Sequence, residues 1–112
     1  IPQLFIQVVM DVEVARMRVG RTVLIGDGAF AVRPHAAAGT AKAAADGWTL
    51  HEALLAHPGD LDGALATWEP GQLTLGRELL ARTRAIGRRS QFDGTWVPGD
   101  PDLVFGLYGP GD

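Results

Sequence analysis

Hydrophobic positions in the first part of the chain form extended runs rather than helical stripes. The run from Leu4 to Val9 contains β-branched residues and predicts a strand. Met10 to Arg18 alternates only in part, which predicts a second short strand or a turn. The apolar run from Arg21 to Ile25 predicts a buried strand of a parallel sheet, because strands covered on both faces are almost continuously apolar.

Helical spacing follows these runs. The Ala-rich stretch 39–56 predicts a helix, and His57-Pro58-Gly59 should end it. The apolar stripe of this helix is expected to consist of Ala43, Gly47, Leu50 and Leu54.

Two further helices are predicted before an irregular tail. Asp60 or Asp62 should cap a helix that ends near Glu69, since Pro70 disfavours helix at the residue before it. The next helix, about 72–88, is expected to bury one side of its surface, namely Leu75, Leu79, Thr83 and Ile86. From residue 91 onward Gly, Pro and Asp dominate, and four apolar residues are the candidates to pin this tail to a surface: Trp96, Leu103, Phe105 and Tyr108.

Composition excludes several classes of protein. The chain has 112 residues, 46 % of them hydrophobic, which is too apolar for a disordered segment. Its net charge of −3 gives no broad surface for nucleic acid, and no apolar run approaches the ~18 residues of a membrane span. Without cysteine there is no disulfide or thiolate site, and no His or carboxylate cluster has metal-ligand spacing. Because the start lacks Met and a basic stretch, we expect no signal peptide, a chain that begins within a longer protein, and a cytoplasmic location.

Candidate chemistry lies at the junction between the predicted strand and the first helix. The apolar run ends in Gly26-Asp27, a loop carries Pro34, and small residues up to Gly39 open the helix. The carboxylate can accept hydrogen bonds from a polyol hydroxyl, and the helix N-terminus can face an anionic ring or phosphate.

Two other interpretations of this junction are open. Residues 26–31 match the dinucleotide fingerprint G-x-G-x-x-A, with Asp46 near the distance expected for a ribose-binding acid. Pro34 argues against it, because the fingerprint needs a helix that opens inside the motif. Alternatively, Gly26-Asp27 is only a turn in which the Asp caps its own backbone.

The junction resembles the second flavin-binding motif of the class A FAD-dependent aromatic hydroxylases, whose fold is that of para-hydroxybenzoate hydroxylase. Matching residues are Gly26-Asp27, Ala29, Pro34-His35, Gly39 and Asp46-Gly47, at the family's spacing. The pattern looks closest to the 2,6-dihydroxypyridine 3-monooxygenase branch. Gly28, Phe30 and Ala37 depart from the commonest family residues, and the family's first, Gly-rich motif is absent.

The resemblance implies an α/β fold class: a fragment of an FAD/NAD(P)-binding Rossmann-like fold, with one or two strands, two to three helices and an irregular tail. Residues 1–20 would be the edge of a substrate-domain sheet and its connection, and residues 21–57 the second FAD-binding motif. Residues 58–92 would form the C-terminal helices, and residues 93–112 the tail.

The same resemblance implies roles for individual residues. Asp27 would accept a hydrogen bond from a ribitol hydroxyl, and Pro34 would lie beside the flavin ring. The expected cofactor-binding set is Gly26, Asp27, Pro34, Ala37, Ala38, Gly39, Thr40 and Ala41, and the expected catalytic set is Pro34 and His35. A histidine next to proline in a loop is, however, more often a plain hydrogen-bonding group.

The implied whole protein is a monooxygenase that uses FAD with NADH or NADPH on a small aromatic substrate. This chain would be its C-terminal portion, inactive alone and partnered by the N-terminal FAD-binding portion, in a homo-oligomer. The rival hypothesis is a stand-alone interaction module that binds no flavin. The arginines at positions 77, 82, 84, 88 and 89 are interpreted as a solvated helix face, with a phosphate or partner surface as the alternative.

Overall fold

The computed structural model describes residues 3–109. Residues 1, 2 and 110–112, at the ends of the first and last predicted segments, lie outside the described residues. The elements, in chain order, are strands β1 (Arg18–Val19) and β2 (Thr22–Val23), 3₁₀ turns at Gly26–Gly28 and Pro34–Ala36, helices α1 (Gly39–Ala56) and α2 (Leu61–Arg88), and a π-helical turn at Arg89–Asp93. The predicted order of strands, helices and an irregular tail is therefore confirmed.

The strands form a small hairpin instead of part of a parallel sheet. β1 and β2 pair antiparallel, with Arg18 opposite Val23. The carboxylate of Glu69 on α2 accepts hydrogen bonds from the amides of Met17 and Arg18, which ties the hairpin to the helix. The prediction of a buried parallel strand up to Ile25 is wrong for the described residues, because no neighbouring parallel strand is present among them to pair with it.

The segment from Leu4 to Val9 forms no strand. Its side chains are exposed, with Leu4 and Ile6 at 88 % of their full accessibility. A strand needs a backbone partner, and among residues 3–109 none lies beside this segment. The strand prediction is therefore wrong within this structure, whereas the assignment of residues 1–20 to the edge of a larger sheet stays a prediction.

Helix α1 has the predicted bounds, but its most buried face is not the predicted apolar stripe. Its fully buried residues are Lys42 and Asp46, whereas Leu54 is 40 % exposed. Leu50 belongs to the stripe and does pack against a core cluster. The helix buries a charged pair because the pair is matched internally, as described below.

Helix α2 runs without a break through Pro70, so the predicted division into two helices is wrong. Asp60 caps it, accepting a hydrogen bond from the Gly63 amide at 2.9 Å. Pro70 cannot donate to the carbonyl of Ala66. Both residues are exposed, so water can replace the missing hydrogen bond and the helix continues.

Two core clusters lie between α2 and the segments that cross it. One contains Met17, Ala29, Phe30 and Trp68, and the other contains Ala36, Ala38, Leu79, Ile86 and Leu103. A Cβ at Gly76 would come within 2.5 Å of the Phe30 ring, so the glycine allows the ring to lie against α2. Of the residues predicted to be buried on this helix, Leu79, Thr83 and Ile86 are buried and Leu75 is half-buried.

The tail packs back onto α2 and the loop before α1. Leu103 is buried, but Phe105 and Tyr108 are more than half exposed and do not serve as anchors. The guanidinium of Arg82 donates to the carbonyls of Gly106 and Leu107, at 2.6 and 2.7 Å. Four other arginines of the basic run form ion pairs, as Arg77–Glu13, Arg84–Asp11, Arg88–Asp93 and Arg89–Asp100. Arg77, Arg84 and Arg88 are at least half exposed, so they form the predicted solvated face, and the arginines of the run also form ion pairs with other residues of the chain.

Candidate functional site

A groove of about 710 Å³ lies where sequence analysis placed the candidate chemistry. Its walls are the 26–28 turn, the loop around Pro34 and the first turn of α1. The lining residues are Ile25, Gly26, Asp27, Val32, Arg33, Pro34, Ala37, Ala38, Gly39, Thr40 and Ala43. Every residue of the predicted cofactor-binding set except Ala41 therefore borders one groove.

The 26–28 turn brings its backbone unusually close to α1. Gly26 has φ +55°, and a Cβ there would lie 3.0 Å from the Cβ of Ala43. Both the left-handed backbone and the close approach favour glycine at this position. The Gly26 amide donates to Oδ2 of Asp46 at 2.9 Å, so the turn is tied to the helix.

Asp27 is exposed at the edge of the groove. The turn around it is closed by backbone hydrogen bonds, from the Gly28 amide to the Ile25 carbonyl and from the Ala29 amide to the Gly26 carbonyl. Among the described residues none donates to the Asp27 carboxylate. The alternative in which Asp27 caps its own backbone is therefore wrong, and the carboxylate is open to a ligand.

The opposite wall is the N-terminus of α1. Ala38 is the N-cap residue and offers no side chain to cap the helix. The first-turn amides of Gly39, Thr40 and Ala41 thus lack intrahelical acceptors, and they carry the positive end of the helix dipole. Such a wall favours an electron-rich or anionic group beside it.

The loop that leads into α1 contains a strained residue. Ala37 has φ 52° and ψ 33°, a left-handed conformation that alanine adopts at some energetic cost. Ala37 directly lines the groove, and strain of this kind concentrates at functional sites. Its conformation turns the chain from the Pro34–Ala36 turn into α1.

His35 does not line the groove. Its ring lies against Gly87 on α2, where an added Cβ would be 2.8 Å from the imidazole Cε1. The buried Nδ1 atom has no hydrogen-bond partner among the described residues. His35 borders a smaller cavity of about 290 Å³ together with Val9 and Phe92, and Pro34 borders both cavities.

A buried ion pair that the sequence patterns did not predict lies beneath the groove. The ammonium group of Lys42 lies 2.6 Å from Oδ1 of Asp46, and both side chains are at most 1 % exposed. The same ammonium lies 5.2 Å from the centre of the Phe30 ring. Because Asp46 is wholly buried and already holds the Gly26 amide, the interpretation of Asp46 as a ribose-binding acid is wrong. The signal in the sequence is two opposite charges four residues apart in an otherwise Ala-rich helix.

Arg33 at the edge of the groove is oriented by a partly buried carboxylate, that of Asp11. Its Nε donates to Asp11 at 3.1 Å, and Nε of Arg84 donates to the other oxygen of Asp11 at 2.8 Å. Burial alone would raise the pKa of Asp11, but the hydrogen bonds from Arg84 and Arg33 outweigh it and hold the pKa below its usual value. The network joins the N-terminal segment, the groove loop and α2.

Among residues 3–109 no helix is long and apolar enough to cross a membrane, and no His and carboxylate cluster is arranged to hold a metal ion. The groove does fit part of a flavin nucleotide. Its open carboxylate can accept hydrogen bonds from a sugar-alcohol chain, and its helix N-terminus can face the electron-rich edge of a ring.

The fold and this groove are similar to a segment of known hydroxylases. The chain is 46 % identical over 103 residues to 2,6-dihydroxypyridine 3-monooxygenase of Paenarthrobacter nicotinovorans, a match that covers 92 % of this chain and 26 % of that protein. The structure of 2,6-dihydroxypyridine-3-hydroxylase from Arthrobacter nicotinovorans superimposes with a TM-score of 0.82 at 43 % identity, over 91 % of this chain and 26 % of that one. No family model matches the chain.

The resemblance found in the sequence is thereby confirmed, including its branch. The chain spans about a quarter of the length of these relatives.

Proposed function

We propose that this chain is the C-terminal portion of an FAD-dependent monooxygenase that hydroxylates an electron-rich aromatic or N-heteroaromatic ring with NADH or NADPH and O₂. The observation that carries the proposal is the groove that joins an open carboxylate, Asp27, to the uncapped N-terminus of α1. Two hydroxylase relatives of the same branch support the reaction class.

In this proposal the residues of the groove hold and orient the cofactor. Asp27 accepts a hydrogen bond from a ribitol hydroxyl, with Gly26 allowing the turn to reach that position. The amides of Gly39 and Thr40, which border the groove, place the positive end of the helix dipole at the ring, where they stabilise negative charge. When bound, the flavin supplies the oxygen chemistry, after reduction by a nicotinamide.

Pro34 lies between the two cavities, and its restricted backbone limits the freedom of the loop beside the ring. We assign it a positioning role next to the reacting atoms. His35 borders the smaller cavity and not the groove, so any catalytic role of His35 would have to be exerted from the smaller cavity.

The isolated chain is expected to be inactive. It contains no Gly-rich motif for the pyrophosphate, so the contacts to the adenosine half of FAD must come from the N-terminal portion of the protein. The proposed partners are that portion, a small aromatic substrate and a second copy of the whole protein, in the cytoplasm.

The decisive experiment measures FAD affinity in the full-length protein that contains this chain. Asp27→Ala removes a hydrogen bond to a charged acceptor, so the Kd should rise about ten- to a hundredfold without loss of the fold. Asp62→Ala is the matched control, because Asp62 is also an exposed carboxylate but lies on α2 outside the groove. Equal FAD affinity in wild type and Asp27→Ala would contradict the assignment.

The rival hypothesis, a module that binds no flavin, makes a different prediction for the same sample. The full-length protein would then be colourless and would show no flavin absorbance after reconstitution with FAD. The identity to a monooxygenase over 92 % of the chain favours the enzyme.

A further inference from the structure

The pair Lys42–Asp46 lies directly beneath the groove, yet neither residue borders it. Both carboxylate oxygens of Asp46 accept hydrogen bonds from the Lys42 ammonium, and Oδ2 also accepts one from the Gly26 amide. Its backbone carbonyl accepts a hydrogen bond from the Trp68 indole at 3.1 Å, which fixes this turn of α1 against α2. One residue therefore connects the 26–28 turn, the first turns of α1, and α2.

Stability alone does not account for this pair. A buried ion pair gains attraction but loses the hydration of two charges, and well-packed apolar residues in its place are often as stable or more so. Lys42 also lies in the first turns of α1, near the positive end of the helix dipole, where a cation is unfavourable. The two charges cancel each other, so the pair adds little net field to the groove.

What apolar residues cannot replace is the acceptor for the Gly26 amide. Gly26 precedes Asp27, and its backbone lies against Ala43 on the groove side of α1. The hydrogen bond from this amide to Asp46, at 2.9 Å, therefore holds the wall formed by the 26–28 turn against α1. The ammonium group of Lys42 orients the Asp46 carboxylate through hydrogen bonds. The ammonium itself lies over the Phe30 ring.

We infer that Asp46, oriented by Lys42, is a positioning residue that fixes the width of the groove and the place of Asp27 for an FAD bound there. The inference rests on the proposed function for the identity of the ligand, but the tether itself belongs to this chain alone. For this positioning role the negative charge of Asp46 is dispensable, whereas an oxygen atom that accepts the hydrogen bond from the Gly26 amide is required.

A matched pair of double variants separates the oxygen from the charge in the full-length protein. Lys42→Met with Asp46→Asn removes both charges and leaves an oxygen for the Gly26 amide. Lys42→Met with Asp46→Leu has nearly the same shape and removes that oxygen. Hydrogen exchange of the peptide covering residues 24–30 measures the tether without any flavin, and titration with FAD measures its consequence.

The Asn variant should keep the exchange protection of this peptide and bind FAD within about threefold of wild type. The Leu variant should lose protection there and bind FAD at least about tenfold more weakly, even where its melting temperature equals that of the Asn variant. If the Leu variant does not fold, Lys42→Met with Asp46→Ala takes its place and carries the same expectation.

Equal hydrogen exchange in the two double variants overturns the inference. If the wild type binds FAD, equal FAD affinity of the two double variants overturns it as well. If the wild type binds no FAD, the proposed function fails. The exchange comparison then still decides whether Asp46 positions the turn.

Discussion

Gly26→Ala should deform the groove, because both the backbone and the neighbouring helix exclude a side chain at this position. Its φ of +55° places it in the left-handed region, where an L-residue costs about 1–2 kcal/mol more than glycine. The added Cβ would lie 3.0 Å from the Cβ of Ala43. Carbon atoms prefer about 3.5–4.0 Å, so the turn must move from α1 by about 0.5 Å, which adds about 1 kcal/mol.

The two contributions together give a loss of about 2–3 kcal/mol in the free energy of unfolding. Chemical denaturation of the full-length protein without flavin measures it as a lower midpoint. The same displacement stretches the bond from the Gly26 amide to Asp46 and moves Asp27, so FAD affinity should fall as well.

A double-mutant cycle with Ala43→Gly isolates the close approach. Ala43→Gly alone should cost about 1 kcal/mol, because glycine is unfavourable inside a helix. In the double variant the overlap between the two Cβ atoms is gone, while the backbone penalty at position 26 remains. The losses in free energy of unfolding of the two single variants should therefore sum to about 1 kcal/mol more than the loss measured for the double variant. Strict additivity would refute the close approach as a cause, and an unchanged midpoint for Gly26→Ala would refute the whole argument.

Ala37→Gly should stabilise the protein by about 0.5–1 kcal/mol in the same denaturation assay, because glycine accepts the φ of 52° without strain; destabilisation would contradict this. The lowered pKa of Asp11 predicts a stability contribution that is complete above the ordinary pKa of 3.8 and is lost as pH falls through the lowered pKa. Wild type should therefore lose more stability than Asp11→Asn below about pH 4. Arg84→Gln should reduce that difference, since it removes one of the hydrogen bonds that lower the pKa. Pro70→Ala should raise the free energy of unfolding by about 1 kcal/mol or more by restoring the hydrogen bond to Ala66, and a lower free energy of unfolding would show that the proline is needed in α2.

Local sequence determined the elements whose signals lie within a few residues of one another. The bounds of α1 follow from its Ala-rich composition and from the His57-Pro58-Gly59 stop, and the structure has the same bounds. The cap of α2 at Asp60 is equally local. The groove could also be predicted from the sequence, because Gly26-Asp27, Pro34 and Gly39 lie close together along the chain, at the spacing of the motif that the sequence resembles.

Tertiary structure decided the features that depend on distant partners. Pro70 stays within α2 because its outer side meets solvent, which the sequence around it does not reveal. The apolar run from Leu4 to Val9 stays unpaired because strand formation needs a neighbour, and residues 3–109 supply none. Asp46 became the tether of the groove because the Gly26 amide, 20 residues away, comes within 2.9 Å of it. Helix propensity is a property of adjacent residues, whereas burial of a charge or pairing of a strand is settled only by what the rest of the chain brings beside it.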